Sequence, residues 1–302
     1  MATITTGNFS KALWPGVNAW YGKSYAEFKP QWPDLFTKHT SSKNYEEDMY
    51  QSSLGLASVK PEGTPTTYDS SRQGWVTRYT HVVYSLGFMI TEEAVSDNLY
   101  AEAGERDAKD LAFSMRQTKE NVATNVYNRA FTSGYTGGDG SILCVTSHPN
   151  LTGGTWQNTL TTAADLSEAS LEQAYLDIQD WTNDRGLKIH LQPQTLILPS
   201  ELRFEAERIL MSPYRVGSTD NDINALKSMG LFSKVVINNY LTDADAWFIR
   251  TNSPHGMKCF QRWGLKFATD NDFDTTNAKF KATERYSFGW SDPRGLYGSP
   301  GA

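Results

Sequence analysis

The sequence predicts an α+β subunit of extended shape. Three observations support this prediction. Residues 91–131 form a proline-free run with a narrow apolar stripe, which is typical of one long helix. The run Trp75–Leu86, rich in β-branched and aromatic residues, comes shortly before it and predicts one strand of a long hairpin. From Ser167 onward, short apolar runs alternate with helical patterns, which predicts a small α/β region.

The long helix is expected to begin near Thr91, a plausible N-cap followed by two glutamates in the first turn. Its apolar stripe consists of Ala108, Leu111, Ala112, Met115, Val122, Ala123, Val126 and Ala130. At 1.5 Å per residue the helix would span about 60 Å, more than the diameter of a compact domain of this size. Gly104 could split or kink it. The pattern alone fits an ordinary core helix or a spine that joins separate parts of the subunit.

Composition narrows the class of protein. With 39% hydrophobic and 13% aromatic residues in 302, the chain can bury a core. Abundant Trp and Tyr suit subunit interfaces as well as cores. The net charge of −6 argues against a dedicated nucleic-acid binder, which would be basic. Two cysteines cannot form the disulfide framework of a small secreted domain.

Residues 1–50 are predicted to be an arm without a domain of its own. Large aromatics alternate with prolines, which exclude a long helix. The aromatics must therefore pack on the main body or on a neighbouring subunit. We expect Trp14, Trp20, Tyr25 and Trp32 to make such contacts. The first residues lack the pattern of a signal peptide, and no apolar run approaches the length of a membrane span.

Residues 51–88 are predicted to form the hairpin, with Leu54–Val59 as its first strand. A polar segment with turn residues, 60–74, connects the two strands. A two-stranded ribbon is marginal alone in water, so we expect it to rest on another chain. The expected contact residues are Lys60, Glu62, Arg72 and Trp75.

The α/β region predicts a helix ending near Gly186, a buried strand at Thr195–Leu198, and a helix that Pro199 and Ser200 would cap. A short helix over 221–229, a strand at Val235–Ile237 and a strand at Ala246–Ile249 follow. Apolar alternation over Phe280–Trp290 predicts a half-buried strand in which only Glu284 breaks the row. The residues after Pro293 are expected to end the chain loosely.

The sequence does not nominate a catalytic centre. Cys144 with His148, and His255 with Cys259, are residue types of a zinc site, but their spacing favours small core cysteines. The acidic pairs Asp243/Asp245 and Asp272/Asp274 would suit a carbohydrate-active enzyme if they faced a cleft. Solvated turn residues are the simpler interpretation, and no cofactor motif is present.

The order of arm, hairpin, long helix, α/β region and returning strand resembles the tailed-phage major capsid proteins of the HK97 type. Trp75–Ile90 followed by the helix looks like the extended loop, or E-loop, running into the spine helix. Thr195–Leu210 looks like the entry to the axial domain, continued by Met229–Asn239 and the strand with Trp247. Phe280–Trp290 looks like the return strand of the peripheral domain. The chain is most similar to the Mu-like head-subunit group.

The resemblance implies an HK97-like capsid fold with five parts. They are an N-terminal arm (1–50), an E-loop hairpin (51–88), a peripheral domain with the spine helix (89–184), an axial domain (185–256), and return strands with a C-terminal tail (257–302).

The resemblance also implies that the chain is a major capsid protein, which self-assembles as hexamers and pentamers into an icosahedral shell around double-stranded DNA. No catalysis, cofactor, metal or membrane is expected. A separate scaffolding protein and a portal are the expected partners, with assembly in the host cytoplasm and a final place in the virion. Some relatives crosslink an E-loop lysine, but nothing beside Lys60 predicts that reaction here. An encapsulin-like nanocompartment shares the fold and is the first alternative, and a carbohydrate-active enzyme is the second.

Overall fold

A computed structural model describes residues 29–91, 93, 100–215, 222–272 and 277–302. The helices are α1 (Trp32–Leu35), α2 (Tyr100–Asn128), α3 (Glu168–Asp180), α4 (Arg203–Met211) and α5 (Ala225–Met229). The first strands are β1 (Thr37–Thr40), β2 (Tyr45–Gln51), β3 (Gln73–Thr80), β4 (Val82–Ile90), β5 (His148–Pro149) and β6 (Thr155–Trp156). The later strands are β7 (Pro193–Leu198), β8 (Lys234–Ile237), β9 (Trp247–Thr251), β10 (Met257–Asn271), β11 (Ala278–Trp290) and β12 (Leu296–Ser299).

One four-stranded sheet, here called the peripheral sheet, has the order β1-β10-β11-β4. β10 and β11 are long antiparallel neighbours, and β4 pairs antiparallel with β11 from Ile90 opposite Ala278 to Val82 opposite Tyr286. The apolar alternation predicted for Phe280–Trp290 is confirmed, because Phe280, Ala282 and Tyr286 are buried.

The second four-stranded sheet, here called the axial sheet, has the order β12-β9-β7-β8. It is covered on both faces. Leu196 and Leu198 of β7 join a core with Leu171 and Ile178 of α3, whereas Ile197 between them joins a different core with Tyr127 of α2. A strand buried on both faces has no polar side, which explains the continuous apolar run at this point in the sequence.

The spine interpretation of the long helix is confirmed. Ala108 and Met115, in the first half of α2, pack against Phe280 of the peripheral sheet. Ala123 and Tyr127, in the second half, pack in the core beneath the axial sheet. The 29 residues of α2 run without interruption through Gly104, so no break occurs there. The described helix spans about 44 Å.

The predicted hairpin exists, but its first strand was misplaced. The strand is Tyr45–Gln51, which pairs antiparallel with β3 from Tyr45 opposite Thr80 to Gln51 opposite Gln73. Leu54–Val59, predicted as that strand, belongs to the exposed connection and has no strand pairing. β2 and β3 together are here called the ribbon. The run predicted over Trp75–Leu86 is interrupted at His81, with β3 of the ribbon before it and β4 of the peripheral sheet after it.

The prediction of a loose end after Pro293 was wrong. β12 pairs antiparallel with β9, from Leu296 opposite Arg250 to Ser299 opposite Trp247. All four of its residues are buried. The predicted cap of α4 was also misplaced, because the N-cap position is Leu202 and not Ser200.

Candidate functional site

The connection between β2 and β3, residues 52–72, is the most exposed part of the described chain and carries three of the predicted contact residues. Lys60, Glu62 and Arg72 are all exposed there. The base of the loop is closed by two hydrogen bonds: Ser52 N–H donates to the Arg72 carbonyl at 2.9 Å, and Arg72 N–H donates to Ser52 Oγ at 2.7 Å.

Large apolar side chains of this loop face solvent. Leu56 is 83%, Val59 92% and Tyr68 94% exposed, and Leu54 is more than half exposed. Single apolar residues are common on protein surfaces, but several on one projecting segment indicate a surface that another chain covers. The loop therefore qualifies as a candidate contact surface by its chemistry as well as its position.

Arg185, which follows α3, holds the base of the loop in place. Its guanidinium donates to the carbonyls of Ser53 and Ser70 and to Asp69 Oδ1, at 3.3, 3.0 and 3.2 Å. The backbone N–H groups of Gly55 and Ser70, followed by the Arg185 charge, hold the pKa of Asp69 below its usual value. This contact could not be predicted from the sequence, because an arginine in a polar turn resembles an ordinary solvated residue.

The ribbon below the loop is tied to the peripheral sheet. Trp75, a predicted contact residue, is partly buried and stacks on Tyr50 of the paired strand with ring centroids 5.0 Å apart. Asp48 of β2 forms an ion pair with Lys258 of β10. Burial alone would raise the pKa of Asp48, but the Lys258 ammonium and the Ser291 hydroxyl outweigh it and hold the pKa below its usual value. The ribbon is thus a firm support for a projecting loop.

The first described residues show how the N-terminal region joins the spine helix. The buried carboxylate of Glu120 accepts hydrogen bonds from the backbone N–H groups of Gln31 and Trp32, at 2.8 and 2.9 Å. Burial raises the pKa of Glu120. Its neighbour Lys119 forms an ion pair of 3.2 Å with Glu284 of β11, with both side chains at most 5% exposed. Glu120 thus holds Gln31 and Trp32 against α2, and Lys119 joins α2 to β11.

Trp32 lies at this junction and is 8% exposed. Its ring packs edge-on against Phe288 at 5.8 Å, and Lys119 Nζ lies 4.9 Å from the ring centroid. Its contacts are therefore mostly within its own subunit, and little of the ring is left for a neighbour. The other predicted arm contacts, Trp14, Trp20 and Tyr25, lie outside the described residues.

The two cysteines and His148 are buried, whereas His255 is exposed. Cys144 and Cys259 are free and buried, and burial raises the pKa of Cys259 to about 12. His148 places Nδ1 at 2.7 Å from Asp139 Oδ2 and Nε2 at 3.1 Å from Asn158 Oδ1. Asn158 in turn donates to the Leu143 and Leu296 carbonyls, which ties this loop to the chain end. Among the described residues, no group of three potential metal ligands occurs.

Asp243 and Asp245 lie in the connection between β8 and β9. The Asp243 carboxylate accepts from the backbone N–H of Asp245 at 3.1 Å, and both residues are exposed. Asp272 forms an ion pair of 2.6 Å with Lys279, and Asp274 lies outside the described residues. The first pair therefore stabilises a local turn, as the simpler interpretation of the sequence held. No described helix is long and apolar enough to cross a membrane.

The architecture is similar to that of several solved shell proteins. A virus-like particle from Pyrococcus furiosus matches with a TM-score of 0.53 at 9% identity, over 94% of this chain and 97% of that one. The procapsid of bacteriophage JBD30 matches with a TM-score of 0.53 at 10% identity, over 97% and 75%. The capsid of a native GTA particle matches with a TM-score of 0.53 at 11% identity, over 88% of each chain. No curated protein sequence matches significantly.

The fold with its spine helix, peripheral and axial sheets and projecting loop is therefore that of an HK97-type capsid subunit, as the sequence predicted. The sequence itself places the chain more narrowly. A family model described as phage capsid protein matches residues 75–299, which is most of the chain. The chain belongs to this phage capsid protein family. Its likeness to the Mu-like group stays a prediction.

Proposed function

We propose that this protein is the major capsid protein of a tailed phage, assembling as hexamers and pentamers into an icosahedral shell around double-stranded DNA. The observation that carries the proposal is the loop 52–72, which exposes Leu56, Val59 and Tyr68 on a firmly anchored ribbon. Exposed apolar side chains do not stabilise an isolated monomer, whereas a shell subunit needs an apolar surface to bind its neighbours. Membership of the phage capsid family supports the same role.

The remaining predicted contact residues take their roles from this proposal. Lys60, Glu62 and Arg72 lie on the exposed loop. Their charges would contact a neighbouring subunit at the rim of the loop's apolar surface. Trp75 would stiffen the ribbon that carries the loop. Trp14, Trp20 and Tyr25 would bind neighbours from the arm.

The charge of the protein suits a container for DNA. Phosphate neutralisation by Lys and Arg is what makes DNA adhere to a protein surface. A subunit with a net charge of −6 encloses DNA without gripping it and without reading its sequence. We further propose a structural, non-enzymatic role, a separate scaffolding protein and a portal as partners, and assembly in the host cytoplasm.

The test is expression of the chain alone and together with its neighbouring genes, followed by sedimentation and negative-stain electron microscopy. Closed shells, or tubes of uniform width, are the expected result in at least one of the two preparations. Dispersed monomers or dimers in both preparations would contradict the proposal.

The likeness to a virus-like particle keeps one alternative open, an encapsulin-like shell that encloses protein cargo. The nature of the contents separates the two. Purified particles from the native source should contain nuclease-protected double-stranded DNA if the protein is a phage capsid subunit. Particles that hold an enzyme and no DNA would support the alternative.

A further inference from the structure

Two histidines lie beside Phe260 of β10, at the junction between the ribbon and the peripheral sheet. His39 of β1 stands opposite Phe260 in the parallel ladder, with the two ring centroids 5.3 Å apart. His81, between β3 and β4, has its ring centroid 6.3 Å from that of Phe260. Tyr79 of β3 packs against the same phenyl ring at 4.8 Å. Both imidazoles therefore belong to the contact through which β3 packs on the sheet.

Neither imidazole is well placed to carry a positive charge. His81 is 4% exposed, and its Nδ1 lies 2.9 Å from Ser287 Oγ. The Nε2 atoms of His39 and His81 are both buried, and neither has a hydrogen-bond partner among the residues that the structure describes. An imidazolium carries a proton on both nitrogens, and each buried N–H needs an acceptor. This arrangement therefore favours the neutral form of both rings.

The charged groups around His39 also oppose its protonation. His39 faces Lys258 of β10 and Asp48 of β2, and Asp48 is already paired with Lys258. Burial, followed by the Lys258 ammonium, holds the pKa of His39 below its usual value, while Asp48 acts in the opposite direction. His255 also lies near this pair, with its Nδ1 at 3.3 Å from Lys258 Nζ, but its side chain is exposed.

His81 has a similar electrostatic environment. It faces Arg285 of β11, Arg262 of β10 and Glu46 of β2. The carboxylate of Glu46 already accepts a hydrogen bond from the Ser41 hydroxyl at 2.7 Å. Burial, followed by the charges of Arg285 and Arg262, holds the pKa of His81 below its usual value, while Glu46 acts in the opposite direction. A proton on either ring would therefore add a charge to a junction that already contains several cations.

We propose that His39 and His81 form an acid-sensitive switch that releases the ribbon from the peripheral sheet. While both imidazoles are neutral, β3 packs on the sheet through Tyr79 and Phe260. Once they are protonated, separation of the ribbon from the sheet lets each imidazolium reach water. The loop 52–72 moves with the ribbon that carries it. This inference goes beyond the proposed shell function, because it concerns the dispersed subunit and its test needs no particle.

The direction of the pH effect follows from the lowered pKa values. With the ribbon released, the two histidines bind protons at the ordinary histidine pKa of about 6.5, whereas with the ribbon docked they bind them only at lower pH. The docked state therefore has its full stability above about pH 6.5 and loses it as the pH falls through that value. Asp48 titrates only at much lower pH, so the two effects are separable.

Amide hydrogen exchange of the dispersed subunit, expressed as protection factors from about pH 8 to about pH 5, tests the switch. The protection of β2 and β3 should fall several-fold across this range, while that of β7 and β9 in the axial sheet stays constant. His39→Phe combined with His81→Asn should abolish the fall. The phenyl ring keeps the contact with Phe260, the amide can still bond Ser287, and neither side chain titrates.

His190→Asn is the matched control, since His190 is exposed and asparagine suits its positive φ of 50°. This variant should retain the fall that the parent shows. Ribbon protection that stays constant in the parent, or that falls equally in the double variant, would overturn the proposal.

A measurement on the unaltered chain gives an independent test if the double variant does not fold. Exchange of the imidazole C2 proton, followed by mass spectrometry, reports the titration midpoint of each histidine. The midpoints of His39 and His81 should lie below that of His190, in the pH range where the ribbon loses protection. A midpoint of either residue at or above that of His190 would overturn the proposal.

Discussion

Lys119 and Glu284 form an ion pair that is almost completely withdrawn from solvent, between the spine helix and β11. Lys119 also lies near the rings of Trp32 and Tyr286, at 4.9 and 5.1 Å from their centroids. Removing one partner from a buried pair leaves the other charge desolvated and unpaired. The free-energy cost of that change is larger than the net stabilisation that the pair contributed.

Lys119→Met should lower the free energy of unfolding by about 3–5 kcal/mol, because Glu284 loses the ammonium beside it while remaining buried. Urea unfolding of the dispersed subunit measures the change. Lys109→Met is the matched control on the same helix, since Lys109 pairs with Glu105 at an exposed position. The control should cost less than about 1 kcal/mol. Equal losses in both variants would contradict the assigned role of the buried pair.

Asp48 should make the stability of the subunit sensitive to acid. Its pKa in the folded state lies below the usual value, so ionised Asp48 stabilises the fold above the pKa of the unfolded chain. That contribution is lost below the ordinary pKa of an aspartate, as the pH falls through the lower pKa of the folded state.

Asp48→Asn should therefore flatten the decline of the free energy of unfolding below about pH 4, as followed by urea titrations at several pH values. Asp180→Asn removes the same charge from an exposed pair with Lys188 and serves as the control. An unchanged acid dependence in Asp48→Asn would show that the Lys258 pair does not link the ribbon to the sheet energetically.

At the scale of elements, the loop 52–72 is separable from the fold that supports it. Its side chains contribute little to either core, because Leu54, Leu56, Val59 and Tyr68 are exposed. Replacement of residues 55–67 by a short Gly-Ser linker should leave the melting temperature within a few degrees of the parent and abolish closed shells. Microscopy and thermal unfolding of the same preparation measure both. Normal shells from this variant would contradict the role of the loop.

The chain end has the opposite character. Leu296 and Tyr297 are fully buried, and each is worth about 2–3 kcal/mol of burial in addition to the ladder with β9. Truncation before Leu296 should therefore prevent soluble expression, whereas removal of the exposed Ala302 alone should have no effect. A soluble protein with native circular dichroism after the longer truncation would show that β12 is dispensable.

These elements also show what the sequence could predict. The stripe of α2 was predictable, because Ala108, Leu111 and Met115 repeat with the period of a helix and are all buried. Lys119 and Glu120 interrupt that stripe, and they were missed because their burial depends on partners far away in the chain. β12 was missed because its glycine and flanking prolines resemble a tail. Leu54–Val59 has the pattern of a strand, but periodicity cannot reveal whether a partner strand is present.

At the scale of the whole molecule, the spine helix joins two sheets that have separate cores, and the ribbon carries a loop away from both. Ala108 packs in one core and Tyr127 in the other, so α2 fixes the relation between the two parts. The subunit therefore consists of two sheets held together by α2 and of a projecting loop, residues 52–72, with an exposed apolar surface. Such a division suits a protein whose copies must repeat one set of contacts around a closed surface.

Cryo-electron microscopy of the particle tests this account most directly. The account predicts a closed icosahedral shell in which residues 52–72 of each copy cross a subunit boundary, with Leu56, Val59 and Tyr68 buried against a neighbour. A shell in which this loop contacts only its own subunit, or a protein that forms no closed particle with its neighbouring gene products, would contradict it.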